Sequence, residues 1–286
     1  MKATIALDIG AMHLRATLTP KAPGWGLRAA RAVGVKLRRT SKPVESTEST
    51  VTETGHWTPG ATRDQTLAAL LEAAAQALQA LRARHPASLD GCRLTVRTGV
   101  SSSYVGVAAM DVSSSSAHSD HPLRSIAKAL SQEALGAEAA GHEVRWRIQA
   151  DQAHLCVITL DAALIAGLQA LAQAQQMKLA SCQPAIAALL DGELEHSRRQ
   201  RDARTLVWTE RDAAGRRHAA LTFVRVVNGS AVNAWRTLTP APSNAGDPWL
   251  QPALDRFLIA SGAALDEQVV PCTWPPAPRD APELAA

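Results

Sequence analysis

The sequence predicts an α/β fold, and three observations carry that reading. A β-ribbon opens the chain: Thr4–Leu7 is β-prone, Asp8-Ile9-Gly10 makes a turn, and His13–Thr19 alternates Leu14, Ala16 and Leu18 with Arg15, Thr17 and Thr19. Thr62–Arg84 then reads as a long helix, with Leu67, Leu70, Leu71, Ala74, Leu78 and Leu81 along one stripe. Arg93–Val100 returns as a strand through Leu94 and Val96, so strands stand on both sides of a long helix, and with a third strand expected before that helix the order is three strands, a helix and a strand.

Composition bounds the rest. Of 286 residues 46% are hydrophobic and 20% charged, which excludes a disordered chain and suffices for one large or two modest domains. One Tyr and two Phe beside abundant Ala mean that the core is built from Leu, Val, Ile and Ala. The net charge of +4 is mild and its bearers are scattered, so nucleic-acid binding is not expected; the one basic cluster, Arg198–Arg204, reads as a solvated linker. Cys92, Cys156, Cys182 and Cys272 form no paired motif and are expected to be buried, reduced thiols. Asp8 interrupts any signal-peptide core, and no apolar run approaches the ~20 residues of a membrane span, so a cytoplasmic location without a direct membrane span is expected.

Taken in order, Leu27–Arg38 is expected as a third strand, and Thr40–Gly60, rich in Ser, Thr, Glu and Pro, as a mobile loop. Thr62 with Gln65 forms a capping-box pattern for the long helix, which His85-Pro86 ends. Tyr104–Val112 is β-prone, Ser113–Pro122 is loop-like, and Leu123–Leu135 is an amphipathic helix stopped at Gly136. Val144–Ile148 and Leu155–Leu160 suggest a hairpin. Asp161–Met177 is a second strong helix capped by Asp161; a short strand at Leu179–Cys182 and a helix at Pro184–Leu190 follow. Beyond the linker Thr205–Trp208, Arg217–Val227 and Ser230–Leu238 are β-prone, with Asn228-Gly229 a type I′ turn signal. Ala241–Gly246 reads as a loop, Trp249–Ser261 as a helix, Val269–Trp274 as a last strand and Pro275–Ala286 as a disordered tail.

Asp8 at the tip of the first ribbon, with Gly10 beside it, is the first candidate site: a carboxylate takes a cation while turn amides face a phosphate. The plain alternative is an ordinary hairpin. His118, Asp120 and His121 group two imidazoles and a carboxylate, the makings of a metal-dependent hydrolase, without a further ligand at a telling spacing. Glu193, Glu195 and His196 fall together near an expected helix end and read better as solvated cap residues than as an acid–base set.

Three strands, a helix and a strand, with Leu7-Asp8-Ile9-Gly10 closing the first, resemble the ribonuclease-H-like unit from which actin-like ATPase folds are built twice over. Over residues 3–200 the order is similar to PilM-like pilus-assembly proteins and to the cytoplasmic part of GspL-like type II secretion proteins, ending in Gln183-Pro184-Ala185-Ile186-Ala187-Ala188-Leu189-Leu190. The resemblance implies a first lobe at 1–100 and 161–200, a small inserted α+β subdomain at 101–160, and a reduced second lobe at 205–274.

The departures set the functional expectation. Asp8, Ile9, Gly10 and Arg15 match the family's first phosphate turn, but Ala11, Met12 and His13 stand where phosphate-binding hydroxyls belong. Leu206-Val207-Trp208-Thr209-Glu210-Arg211 replaces the second Asp-x-Gly turn, and Ser243-Asn244-Ala245-Gly246 is a poor substitute for the Gly-Gly turn over adenosine. Each lost charge-assisted phosphate contact costs ~1.5–3 kcal/mol. Asp8, Gly10 and Arg15 are thus expected to be a vestigial nucleotide site, with no catalytic residue and no metal site; no cofactor is expected, and residual binding of ATP with magnesium at Asp8 stays open. The expected role is a non-catalytic scaffold of a type IV pilus or type II secretion platform, bound to a PilN-like membrane protein's cytoplasmic segment or to the secretion ATPase. The alternative is an active ATPase or sugar-kinase-like phosphotransferase of the same fold.

Overall fold

The computed structural model describes residues 3–10, 13–19, 51–58, 60–85, 89–99, 104–110, 120–211, 218–240, 250–264 and 267–272. Strands β1 (Thr4–Ile9), β2 (His13–Thr19) and β3 (Val51–His56) lead into helix α1 (Arg63–Arg84) and strand β4 (Arg93–Thr98). Next come β5 (Tyr104–Ala109), α2 (Asp120–Leu135), a 3-10 helix at Gly136–Gly141, β6 (His142–Ile148) and β7 (His154–Asp161). Helix α3 (Ala162–Ala174), strand β8 (Lys178–Pro184) and helix α4 (Ala185–Gln200) follow. Strands β9 (Ala203–Arg211), β10 (His218–Val227) and β11 (Ser230–Pro240), helix α5 (Leu250–Ala260) and strand β12 (Gln268–Cys272) complete the order.

Two of the sheets share one plan. The first runs β3-β2-β1-β4-β8, with β1 to β3 antiparallel and β4 and β8 joined in parallel. The second runs β11-β10-β9-β12: an antiparallel meander, then α5, then β12 parallel to β9. That is the β3-β2-β1-β4 order again. The fold is therefore α/β, a ribbon-plus-crossover lobe made twice, as in the actin-like architecture. A third, wholly antiparallel sheet, β5-β7-β6, stands between them in sequence.

Alternation along β1 decides which side of the first sheet is core. Ile5, Leu7 and Ile9 point to one face, where they pack with Leu14, Ala16 and Leu18 of β2, Leu70, Ala74, Leu78 and Leu81 of α1, and Leu164 and Leu168 of α3. Each fully buried Leu or Ile there is worth about 1.5–3 kcal/mol. Asp8 lies on the opposite face. Helix α1 starts with the anticipated capping box, Thr62 Oγ1 accepting from the Gln65 amide while Gln65 Oε1 accepts from that of Thr62. Asp161 caps α3 by accepting from the Ala163 amide at 2.8 Å, and Arg63 closes over it at 2.7 Å. Helix α4 joins the other two sheets: Ala185, Ile186, Leu190 and Leu194 cluster with Val105 and Cys156 on one side and with Leu206, Trp208, Val224 and Val226 on the other.

Several expectations are corrected. The third strand of the first sheet is Val51–His56, inside the stretch expected to be a mobile loop; the segment Leu27–Arg38 lies outside the described residues. Val51–His56 carries no apolar alternation, and it is held by its ladder to β2 and by the Glu53–Arg84 ion pair at 2.7 Å. Arg198–Arg204 is not a linker. Helix α4 runs to Gln200, Arg201 turns the chain in a left-handed conformation (φ 56°), and β9 begins at Ala203. Arg204 is buried and bonds both Asp202 and Glu193, at 2.9 Å from the latter, so its charge is spent inside the protein. Helix α2 starts at Asp120, which takes Asp120 and His121 out of the expected loop. Among the described residues no helix is long and apolar enough to cross a membrane.

Candidate functional site

Asp8 stands in register with Arg15 on β2 and with Arg97 on β4, all three on the face of the sheet opposite the core. Arg97 grips the carboxylate with two donors, Nε to Oδ1 at 2.7 Å and Nη2 to Oδ2 at 3.1 Å. Arg15 donates from Nη2 to the same Oδ2 at 3.4 Å. The Asp8 side chain is 3% exposed, whereas those of Arg15 and Arg97 are 30% and 34% exposed. Behind the turn, Trp57 Nε1 donates to the Gly10 carbonyl at 3.1 Å and fixes its orientation.

This geometry leaves neither oxygen of Asp8 without an arginine donor, so the carboxylate does not fit the role of a magnesium ligand. A carboxylate that holds a cation must present its lone pairs outward; Asp8 spends both oxygens on guanidinium groups. In the second lobe Leu206, Val207 and Trp208 are buried along the strand that corresponds to β1, with Trp208 among the apolar residues under α4. The site thus contains Asp8 and Arg15 together, with Gly10 at its edge. It also contains Arg97, which sequence reasoning did not single out. The signal was present: with Leu94 and Val96 directed inward, Thr95 and Arg97 must face the Asp8 side, and a parallel β4 beside β1 sets Arg97 opposite Asp8.

A second feature opens at the end of the same row. Register carries Arg15, Asp8 and Arg97 on to Gln183 of β8, and Gln183 lines a cavity of about 280 Å³ between the inserted sheet and the first lobe. Its floor is apolar: Cys156, Ile158 and Leu160 of β7, Ile165 of α3, and Pro184 and Ala187 at the start of α4. Its rim is charged. Glu143, Arg145 and Arg147 alternate along β6 on the face shared with Leu160, Ile158 and Cys156, and Arg147 pairs with Asp191 of α4 at 2.8 Å. Burial pushes the thiols of Cys156 and Cys182, both on this cavity, up to about 12, so they behave as small neutral apolar groups.

The other candidates come apart. His118 lies outside the described residues, Asp120 and His121 sit in the first turn of α2, and no group of three or more metal-ligating side chains exists among the described residues. Glu193 bonds Arg204, and Glu195 pairs with Arg198 and Arg199, so these carboxylates serve helix α4 and its turn into β9.

No protein-family model and no curated protein matches the chain. Solved structures of similar fold include a protein with actin-like ATPase fold and unknown function from Bacteroides thetaiotaomicron, at 7% identity and TM-score 0.45 over 95% of this chain and 91% of that one. The PilM–PilN type IV pilus biogenesis complex matches at 13% identity and TM-score 0.47, over 90% and 67%. The cytoplasmic domain of EpsL, an inner membrane component of the type II secretion system of Vibrio cholerae, matches at 7% identity and TM-score 0.45, over 95% and 90%.

Proposed function

We propose that the protein is a non-catalytic cytoplasmic scaffold of an inner-membrane assembly platform, of the type IV pilus or type II secretion kind. The reading is supported chiefly by the capture of Asp8 by Arg97 and Arg15, which removes the one carboxylate that a nucleotide-driven cycle would need. What the lobe offers instead is the groove between β6–β7 and the start of α4. Its volume is near the lower end of small-molecule pockets, suited to a few side chains of an extended segment rather than a nucleotide. Apolar floor and charged rim are the pattern by which a short peptide is anchored by one or two apolar residues and oriented by polar ones. The occupant we assign is the cytoplasmic segment of a PilN-like membrane partner.

Calorimetric titration of that segment, made as a free peptide, tests the reading. Binding at tens of micromolar or tighter is expected, and Ile158→Asp or Ile165→Glu, both at partly exposed floor positions, should weaken it by about tenfold or more. No heat at tens of micromolar, or affinity indifferent to both substitutions, would remove the groove from the account.

A further inference from the structure

Gln149 follows β6, is 2% exposed, and spans two parts of the molecule with its side-chain amide. Nε2 donates to the Arg147 carbonyl at 3.3 Å, and Oε1 accepts from the Ala231 amide of β11 at 3.1 Å. A second bond runs beside this bridge, from the Asp151 amide to Ser230 Oγ at 3.1 Å. The tip of the β6–β7 hairpin is itself stiff. The Gln149 amide donates to the His154 carbonyl at 2.8 Å, and the Asp151 carboxylate accepts from the Ala153 and His154 amides at 2.9 and 3.2 Å. The receiving β10–β11 turn is equally fixed, because the Ser197 hydroxyl of α4 accepts from the Gly229 amide at 3.2 Å and donates to the Asp202 carbonyl at 2.7 Å.

Arg147 is therefore tied to α4 by two routes. Its guanidinium crosses the groove mouth to Asp191, and both side chains of that ion pair are more than half exposed. Such a pair is weak and is screened by salt. The Arg147 carbonyl is held from behind, through Gln149, Ala231 and the turn to Ser197, and the side chains of these three residues are buried. Breaking a buried bond strands its partner away from water, so the route through Gln149 is the stronger tether.

We infer that Gln149 is the positioning residue of the groove: by pinning β6 to the second lobe it fixes how far the Arg147 rim stands from α4. Among the described residues nothing beyond Asp191 in the chain lines the cavity, so the second lobe acts on the groove without touching its contents. The consequence for a docked partner rests on the groove being the docking site; the pinning itself does not. Without Gln149 the β6–β7 ribbon should lift and uncover Cys156 on the groove floor, while the core of the first lobe stays closed.

The experiment is thiol labelling of the intact protein in native buffer without peptide, with the modified cysteines identified by mass spectrometry. Cys156 lies on the groove floor and Cys92 in the first-lobe core, both buried, so their rate ratio separates local opening from global unfolding. Gln149→Met, which fills a similar volume and makes neither bond, should raise the Cys156-to-Cys92 ratio by about tenfold or more. Ser230→Ala, which leaves the Gln149 bridge in place, should raise it by less than about threefold. In the wild type the ribbon cannot lift without breaking the Ala231 bond, so Cys156 labelling should report an opening free energy no lower than hydrogen exchange of the Ala231 amide; this arm needs no variant to fold. Gln149→Met should also bind the partner segment about tenfold more weakly. A wild type that binds no segment sinks the docking reading alone, and the labelling still decides the pinning. An unchanged ratio in Gln149→Met, a ratio raised equally by Ser230→Ala, Cys156 opening below Ala231, or a wild type that binds the segment no better than Gln149→Met does would each overturn the proposal.

Discussion

Arg97 Nε lies 2.7 Å from Asp8 Oδ1, across two parallel strands that place the residues directly opposite each other. The pair ties the crossover strand to the ribbon that opens the chain. The carboxylate has become a bracket for two arginines.

Replacing Arg97 by Met should cost about 1–3 kcal/mol. Arg15 still reaches Asp8 but at longer range, and a buried carboxylate loses its bidentate partner. The partial exposure of Arg97 keeps the cost below that of a fully buried pair. Urea unfolding, with its slope unchanged, measures it.

Gly229→Ala should be worse than most loop substitutions, by about 1–3 kcal/mol. Gly229 holds a φ of +82° in the β10–β11 turn, and an added Cβ would lie 2.7 Å from Arg198 Cβ and 3.1 Å from the Leu194 carbonyl. The turn is pressed onto α4, whose buried Ser197 hydroxyl receives the Gly229 amide at 3.2 Å. Thermal unfolding of this variant beside Gly262→Ala separates crowding from φ alone, since Gly262 also has a positive φ but open space around it.

The acid limb of stability should depend on Asp202. Its hydrogen bond with Arg204 holds the carboxyl below its ordinary value, so its contribution is fully present above that value and is lost as pH falls through the lowered one. Asp202→Asn should lower stability at neutral pH and flatten the dependence below about pH 4, as read by unfolding midpoints across pH.

Thiol chemistry should be slow in the folded state. Burial raises Cys156 and Cys182 to about 12 and Cys272 to about 11, which at pH 8 leaves thiolate fractions on the order of one in a thousand to one in ten thousand. Buried Cys156 should react with a disulfide reagent only at the rate of unfolding, half-buried Cys182 and Cys272 slowly in the native state, and all three rapidly once denaturant is added. Prompt modification of Cys156 in the native protein would mean that the groove floor opens.

Much of this was legible because local signals agreed with tertiary demands. Asn228-Gly229 gave a turn with both residues at positive φ, Thr62 and Gln65 gave a helix start, and Asp161 gave a cap. Val51–His56 escaped because Thr-Glu-Thr-Gly has no apolar period: its strand character comes from pairing with β2, and Gly55 makes room for Leu14, whose Cδ1 would lie 3.2 Å from an added Cβ. Arg204 was misread because a basic cluster is ordinarily solvated; only the turn at Arg201 and Asp202 swings it inward onto Glu193. Arg97 was within reach through strand alternation, but its pairing partner depended on which strand β4 joined.

The most direct test of the central claim, that Asp8 is a structural bracket and not a metal ligand, is the magnesium dependence of ATP turnover and binding by the wild-type protein and by Asp8→Asn. The expected result is no turnover above background in either protein and no gain in ATP affinity on adding magnesium. Magnesium-dependent ATP hydrolysis by the wild type, abolished in a folded Asp8→Asn variant, would contradict it.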